Sequence, residues 1–442
     1  MMSRSLPPAR RRRRVRQDVS LQQALWTLFP SVALTYSFFL PMEVRIEIGG
    51  QSLYLYRLVM LVSIPWLIIE SSRVEFKFNI VDGLFSFAAF WMVFSFGVFY
   101  ESLEGALRGL ALAIDVILPY FIFRHSIKNL KSFRYYLIIV APGFFVSGLI
   151  VALESISHTY LAKPLASQIF GSRAVYADGQ AVGELIPRRE IRFGLMRGAG
   201  PYPHPILAGM TLASVFPLYI YSGIKGWPKV IGIIAGAFAV FSMSSGAFLL
   251  LLIGVSLILY DRLSLNSLFN WWHAIFAGSI LLLAIEVISP NGAFSVFIRY
   301  TLDPQTGYYR QLIWEFGLKS VFKHPFIGIG FTDFERLSWM VNSIDAHWLL
   351  MSVRHGAIPA ILQFACLITI IVQISKCSSW ALFDYDRNCF RAIVFVVFAM
   401  IVGGMTVSFY GQTSIWLYAF IGMAVTLMNS AFPKVRQSSR RL

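Results

Sequence analysis

The stretch "DAHWLLMSVRHGAIP", residues 345–359, places Asp345, His347, Arg354 and His355 at the head of a long apolar run. Ionisable side chains near a bilayer are costly and are rarely left there without partners. A carboxylate or an imidazole can take a proton from a reacting hydroxyl. A guanidinium offers a rigid fork of donors that matches phosphate oxygens. On a helix advancing about 100° per residue, Asp345, Ser352 and His355 share one face, and His347 and Arg354 share nearly the opposite one. One cavity then admits only one of these sets, if the helix already runs from residue 345. Asp345 also suits a helix N-cap.

More cations lie in two long segments between apolar runs. Segment 154–203 holds Arg173, Arg188, Arg189, Arg192 and Arg197, and segment 290–346 holds Arg299, Arg310 and Arg336. As a set they point to an anionic, phosphate-bearing ligand. Singly, each is served as well by lipid headgroups or by pairing with Asp178, Glu184 or Glu190. "MRGAGPYPHPILAGM" sets Arg197 and His204 just before an apolar run, behind a bent lead of Gly198, Gly200, Pro201, Pro203 and Pro205. Irregular backbone of this kind is tolerated at membrane depth only beside protein or a water-filled cavity. "SMSSGAF", from Ser242 to Phe248, reads as a tight turn whose small residues pack helices together. Arg57, Asp115 and Glu286 fall within apolar runs. Arg57 either pairs with Asp115 or extends toward the interface.

The elements that must position these groups follow from composition. The 442 residues are 57% hydrophobic and 14% charged, against roughly 25% charged in soluble domains. Mean hydropathy is +0.65. Apolar runs of about 17–25 residues, enough for a helix to cross a bilayer, recur along the chain. They are continuous rather than alternating, which excludes a β-barrel. The expected fold is all-α and polytopic, with about twelve transmembrane helices near 21–40, 53–69, 80–99, 108–123, 135–153, 204–222, 229–243, 246–260, 271–289, 347–375, 392–409 and 412–431. The transmembrane domain spans 21–431, with 154–203 and 290–346 as outer loops and basic tails at 1–20 and 432–442. Within the second loop, Leu312, Ile313, Phe316 and Val321 have helical spacing, which predicts a short amphipathic helix on the outer membrane face.

The net charge of +16 and the run Arg10 to Arg14 suit a cytoplasmic anchor better than a nucleic-acid-binding arm. Basic residues concentrate in alternate connections, so both termini are expected in the cytoplasm. The first apolar stretch lacks a small-residue cleavage site and is expected to be retained. The cysteines, Cys366, Cys377 and Cys389, fit no zinc spacing. The chain shows no internal repeat, which weakens a transporter reading.

The pieces "RGAGPYPHPILAG", "SSGAFLLLL", "YYRQLIW", "HPFIGIGFTDF" and "SIDAHWLLMSVRHGAIPAIL", in that order over 197–363, resemble the O-antigen ligase and polymerase superfamily, in particular its exopolysaccharide-polymerase-like members. The resemblance implies a GT-C-like glycosyltransferase layout and metal-independent glycosyl transfer, without a cofactor, on the outer face of the inner membrane. The donor it implies is a polyprenyl-diphosphate-linked glycan, with membrane lipid and other polysaccharide assembly and export proteins as partners. It maps the family's diphosphate-binding arginines onto Arg197 and Arg310. From the residues themselves, Asp345 or His347 is the candidate base, and His204, Arg336 and Arg354 are candidate further substrate contacts. The ligase signature has His, then Asn, then Gly about eleven residues after the His. Counting back from Gly356 reaches Asp345 instead, and His347 is followed by Trp348. That departure favours a polymerase over a ligase passing glycan to another acceptor. The competing classes are a flippase for the same lipid-linked oligosaccharide and a non-catalytic scaffold for envelope assembly.

Overall fold

A computed structural model describes residues 26–48, 51–73, 76–172, 174–177, 180–184, 189–264 and 304–438, with isolated residues between 280 and 288. Most of the expected helix 271–289, the tail 1–20, and Arg173, Asp178, Arg188, Glu286 and Arg299 lie outside the described residues.

The chain opens with α1 over 26–37. A hairpin, β1 (Arg45–Ile48) with β2 (Gln51–Tyr54), leads into α2 (Leu55–Arg73). There follow α3 (Ile80–Tyr100), α4 (Leu103–Ser126) and α5 (Leu130–Ser157). Next come the short α6 (Ala162–Phe170) and two antiparallel hairpins, β3 (Ala174–Ala177) with β4 (Gln180–Glu184) and β5 (Ile191–Arg192) with β6 (Leu195–Met196). Helices α7 (Pro205–Tyr221), α8 (Trp227–Ala237, extended by a 3-10 turn Phe238–Ser242) and α9 (Ser245–Ser264) complete this half. After the undescribed segment come α10 (Pro304–Lys323), α11 (His347–His355), α12 (Ala357–Trp380), α13 (Asp384–Thr406) and α14 (Gln412–Ser438).

Among the described residues, eight helices are long and apolar enough to cross a membrane: α2, α3, α4, α5, α9, α12, α13 and α14. Helices α7 and α8 are apolar but shorter. The protein is therefore all-α and multi-pass. Local sequence explains several helix ends. Asn79 caps α3 and Asn129 caps α5, each in a reciprocal capping box, with Asp82 and Ser132 respectively. The expected turn at Ser242 to Phe248 is present, with Met243 at φ 45° between the 3-10 turn and α9.

The centre of the bundle is α14, whose membrane-length stretch is 83% buried. A helix apolar on all sides belongs inside a bundle. It meets α4 closely because Gly422 has no side chain: a Cβ there would stand 2.2 Å from the Tyr120 carbonyl oxygen. Around it, Phe87, Phe90 and Phe94 on α3 and Val62 and Ile68 on α2 stay exposed, as lipid-facing positions do.

The helices run up and down, so the bundle has two unlike ends. At one end, ion pairs tie neighbours together: Lys128 with Glu70, Arg134 with Asp386, Arg391 with Asp261 and Arg124 with Asp82. The last is the most enclosed. Asp82 is 0% exposed and accepts from Arg124 Nε at 3.0 Å, Tyr120 Oη at 2.6 Å and the Asn79 backbone N–H at 2.9 Å. Arg124 also donates to Thr426 and the Lys77 carbonyl. Removing one partner of such a pair strands the other charge. Asp82→Ala should therefore cost about 3–5 kcal/mol, read as a lower thermal-unfolding midpoint of the detergent-purified protein.

Candidate functional site

The other end holds a cavity of about 520 Å³. Its walls come from the start of α2, the middles of α3 and α4, the segment 330–355 and the junction between α13 and α14. Asp345, His347, Arg354 and His355 all line it.

These four converge because the helix begins at His347, the start of the expected span, and not already at residue 345. The N-cap is Ala346, not Asp345, and no side chain caps it. Asp345 lies ahead of the helix, off its angular register. Of the lining residues, His347, Leu350, Met351, Arg354 and His355 then fall at i, i+3, i+4, i+7 and i+8, one face of a helix, and Val353 lines the cavity beside them. Ser352, placed beside Asp345 by the longer helix, is not in the lining and donates to the Trp348 carbonyl.

The expected single helix over 347–375 also breaks. Gly356 has φ 80° and ψ 171°, a region that essentially only glycine enters. The segment "HPFIGIGF" closes over the break. Ile329 and Gly330 donate to the carbonyls of Val353 and Arg354 at 2.9 and 3.1 Å, and Ala357 donates to the Pro325 carbonyl at 2.7 Å. The last carbonyls of a helix need such partners. Trp91 Nε1 on α3 donates to the Phe326 carbonyl at 2.9 Å, and Tyr100 Oη accepts from Phe331 N–H at 2.8 Å. The segment thus fastens α11 to α3. Helix α10 braces it from the other side. Its Leu312, Ile313 and Val321 are buried against Ile329, Phe334, Leu349 and Val353. The apolar side expected to lie on the membrane is occupied by protein instead.

Charge in the cavity is uneven. The Asp345 carboxylate accepts no hydrogen bond among the described residues, and burial raises its pKa above the usual carboxylate range despite the opposing charge of Arg310. Arg310 itself does not line the cavity. His347 is 6% exposed, and burial pushes it down to about 4, so it is neutral at pH 7. Its Nε2 lies 3.2 Å from Tyr418 Oη, which donates to Gln363 Oε1 at 3.4 Å. His355 is pushed down to about 3, by burial and then by the Arg354 charge, and its Nδ1 meets Ser95 Oγ at 3.1 Å. Arg354 has no carboxylate within ion-pair range among the described residues. Its Cζ sits 4.9 Å from the centre of the Phe331 ring, and burial lowers its pKa. Arg57 and Asp115 form a two-pronged pair across the wall, Nε to Oδ1 at 2.9 Å and Nη2 to Oδ2 at 2.6 Å.

Arg197 and His204 belong to a neighbouring cluster. Arg197 is 5% exposed and paired with Glu190, and its backbone N–H bonds the Glu190 carbonyl across the base of the β5–β6 hairpin. Burial would raise Glu190, but the Arg197 hydrogen bond and charge outweigh it and hold that carboxyl low. His204 caps α7, accepting from Ile206 N–H at Nδ1, and burial followed by the Arg197 charge pushes it down to about 4. The bent lead between them is tied down by Glu154, which sequence reasoning missed. Glu154 is 0% exposed and accepts from four backbone N–H groups, those of Leu161, Ala162, Ala199 and Gly200. Neither Arg197 nor His204 lines the cavity, yet their loop borders it. A Cβ on the lining residue Gly411 would stand 3.2 Å from Pro203 Cγ, and Gln412 donates to the Leu40 carbonyl and, at 3.5 Å, to that of Pro201. Arg336 is occupied within its own loop by Asp333 and the Met340 carbonyl.

The structure thus defines a class, a multi-pass α-helical membrane protein with a polar, charged cavity at one end of its bundle. No family model matches the chain, and no curated protein matches it in sequence.

Replacing Gly356 tests how the site is held. In Gly356→Ala the new Cβ would stand 2.0 Å from the Phe326 carbonyl oxygen. The backbone strain alone is worth about 1–3 kcal/mol. The expected result is a lower unfolding midpoint with faster hydrogen exchange at the Ile329 and Gly330 amides, while exchange in α4 and α14 is unchanged.

Proposed function

We propose that the protein is a glycosyltransferase that joins polyprenyl-diphosphate-linked oligosaccharide units, lengthening an exopolysaccharide or O-antigen at the outer face of the inner membrane. The observation that carries this reading is the meeting of Asp345, His347 and Arg354 in one cavity, with the Arg310 charge acting on Asp345. The resemblance over 197–363 supplies the substrate class. The twelve-span count, the GT-C-like layout and the cytoplasmic termini belong to the same proposal. In its favour, the connections read as inner from their Lys and Arg content fall at the end away from the cavity.

In the reaction, an acceptor sugar hydroxyl attacks the anomeric carbon of the donor glycan. The new C–O bond forms as the bond to the diphosphate breaks, and polyprenyl diphosphate leaves. The hydroxyl proton passes to Asp345, which is the stronger candidate because it is half-buried, accepts no hydrogen bond among the described residues and lines the cavity. His347, neutral and fixed beside Tyr418, is the second candidate. The charge developing on the departing diphosphate needs cations already in place. Arg354, in the cavity lining, and Arg310, whose charge acts on Asp345, fill this role. Arg197 lies one loop away on Glu190 and joins the diphosphate only if that pair opens.

A flippase needs a polar path that alternates between both sides of the membrane. Here the far end of the bundle is tied by four ion pairs, which favours chemistry at one face. The test is direct. Purified protein supplied with polyprenyl-diphosphate-linked repeat units should lengthen their glycan chains, and a flippase or scaffold would not. Arg354→Ala and Arg310→Ala should each slow lengthening by about 10²-fold or more; unaltered rates in both would overturn the site assignment.

The pH profile follows from Asp345. Its folded pKa is raised by burial, and the base must be ionised to accept the proton. The rate should rise with pH through a limb above the ordinary value of about 3.9. Asp345→Asn should remove that limb and lower the rate by about 10²–10⁴-fold.

A further inference from the structure

Two bidentate arginine–aspartate pairs lie inside this bundle, and they are built differently. In the Arg124–Asp82 pair the side chains are 6% and 0% exposed, and further protein groups bond both members. In the Arg57–Asp115 pair the side chains are 27% and 18% exposed, both face the cavity, and the two groups bond only to each other among the described residues. Arg57 uses Nε and one Nη2 hydrogen, leaving Nη1 and the outer Nη2 hydrogen as donors. Each Asp115 oxygen accepts one bond and keeps a further lone pair. The Arg57–Asp115 pair therefore keeps hydrogen-bonding capacity on its cavity side.

The surroundings say what these groups suit. The pair is neutral overall, so it offers directional donors and acceptors without attracting a second anion. Tyr54, whose ring lies 5.9 Å from Arg57 Cζ, stacks on Tyr56 at 5.7 Å and 13°, which gives a flat amphipathic wall. Tyr410 is 47% exposed and lines the same cavity, together with the neutral polar groups of Ser408, Ser414 and Asn342. A ligand that fits has an apolar face for a tyrosine ring and adjacent groups that both donate and accept. A pyranose with neighbouring hydroxyls has both.

We infer that Arg57 and Asp115, with Tyr54 and Tyr410, form a carbohydrate subsite that grips a neutral sugar ring of the glycan through two adjacent hydroxyls. This rests on reading the cavity as a glycan site. It divides the cavity by chemistry: the Arg354 side takes the anionic diphosphate, and the Arg57–Asp115 side takes uncharged sugar.

The test uses the full chain purified in detergent, probed by saturation-transfer NMR with the methyl pyranosides of glucose, galactose, mannose and N-acetylglucosamine, and separately with inorganic pyrophosphate. The wild type should bind at least one pyranoside. The double variant Arg57→Met with Asp115→Leu removes both charges together, a change that bundles usually tolerate. It should bind that pyranoside at least tenfold more weakly, with pyrophosphate binding and the unfolding midpoint unchanged. Should the double variant fail to fold, Arg57→Lys keeps the charge, loses the fork and should show the same selective loss. Absence of pyranoside binding to the wild type, or binding unchanged in the variants, overturns the subsite even if repeat units are lengthened. Pair-dependent sugar binding without lengthening would uphold the subsite and overturn the polymerase reading.

Discussion

Two backbone hydrogen bonds, from Ile329 to Val353 and from Gly330 to Arg354, hold the end of α11 where the cavity needs it. A helix that ended there unaided would leave its last carbonyls bare in a poorly solvated place. With the segment 324–331 supplying the donors, α11 can stop at His355, turn through Gly356 and restart as α12 in a new direction. Everything chemical at this end follows from that stop. It leaves α11 nine residues long, short enough for one face to present His347, Arg354 and His355 together while Asp345 reaches in from the preceding loop.

The two ends of the bundle answer different demands. One is closed by four salt bridges, of which Arg124–Asp82 is the most enclosed, and such networks fix register between helices. The other leaves charge unspent: an arginine over a phenylalanine ring, a carboxylate without a hydrogen bond, and an ion pair with free valence toward the cavity. Unspent polar groups are costly to keep, and a molecule that satisfies them at one end while leaving them open at the other has separated architecture from binding. The Glu154 knot falls between these extremes. It spends a whole carboxylate on four backbone amides, and so holds the proline-rich lead to α7 rigid beside the cavity.

Most of the described spans were legible in the sequence because hydropathy is a local property; the exceptions are 347–375, which breaks at Gly356, and 392–409, whose helix starts at Asp384. The tight turn at Met243 was legible for the same reason. The site was legible only as a set of residue types. Asp345 and His347 exclude each other only on a helix that already runs from residue 345, where two residues turn a helical face by about 200°; the helix starts at His347, as its apolar run does. The stop at Gly356 depends on Pro325 and Phe326, far upstream, and no local signal ties them to it. Arg57 and Asp115 could be seen as candidates for each other, but their shared outlook onto the cavity is a matter of tertiary packing. Glu154 gave no signal, since its four partners are backbone groups and carry no residue identity.

The central place of α14 bears on how the protein is made. It follows every other described helix in the chain, yet it is the most enclosed of them. Helices α4, α7 and α12 reach the bilayer first and must wait, with the faces that will receive it turned toward lipid or toward one another. Among the described helices, α14 therefore fits between earlier ones rather than adding at their edge. During synthesis the slot for α14 is the point at which a stalled or shortened chain would leave a groove for cellular quality control to recognise.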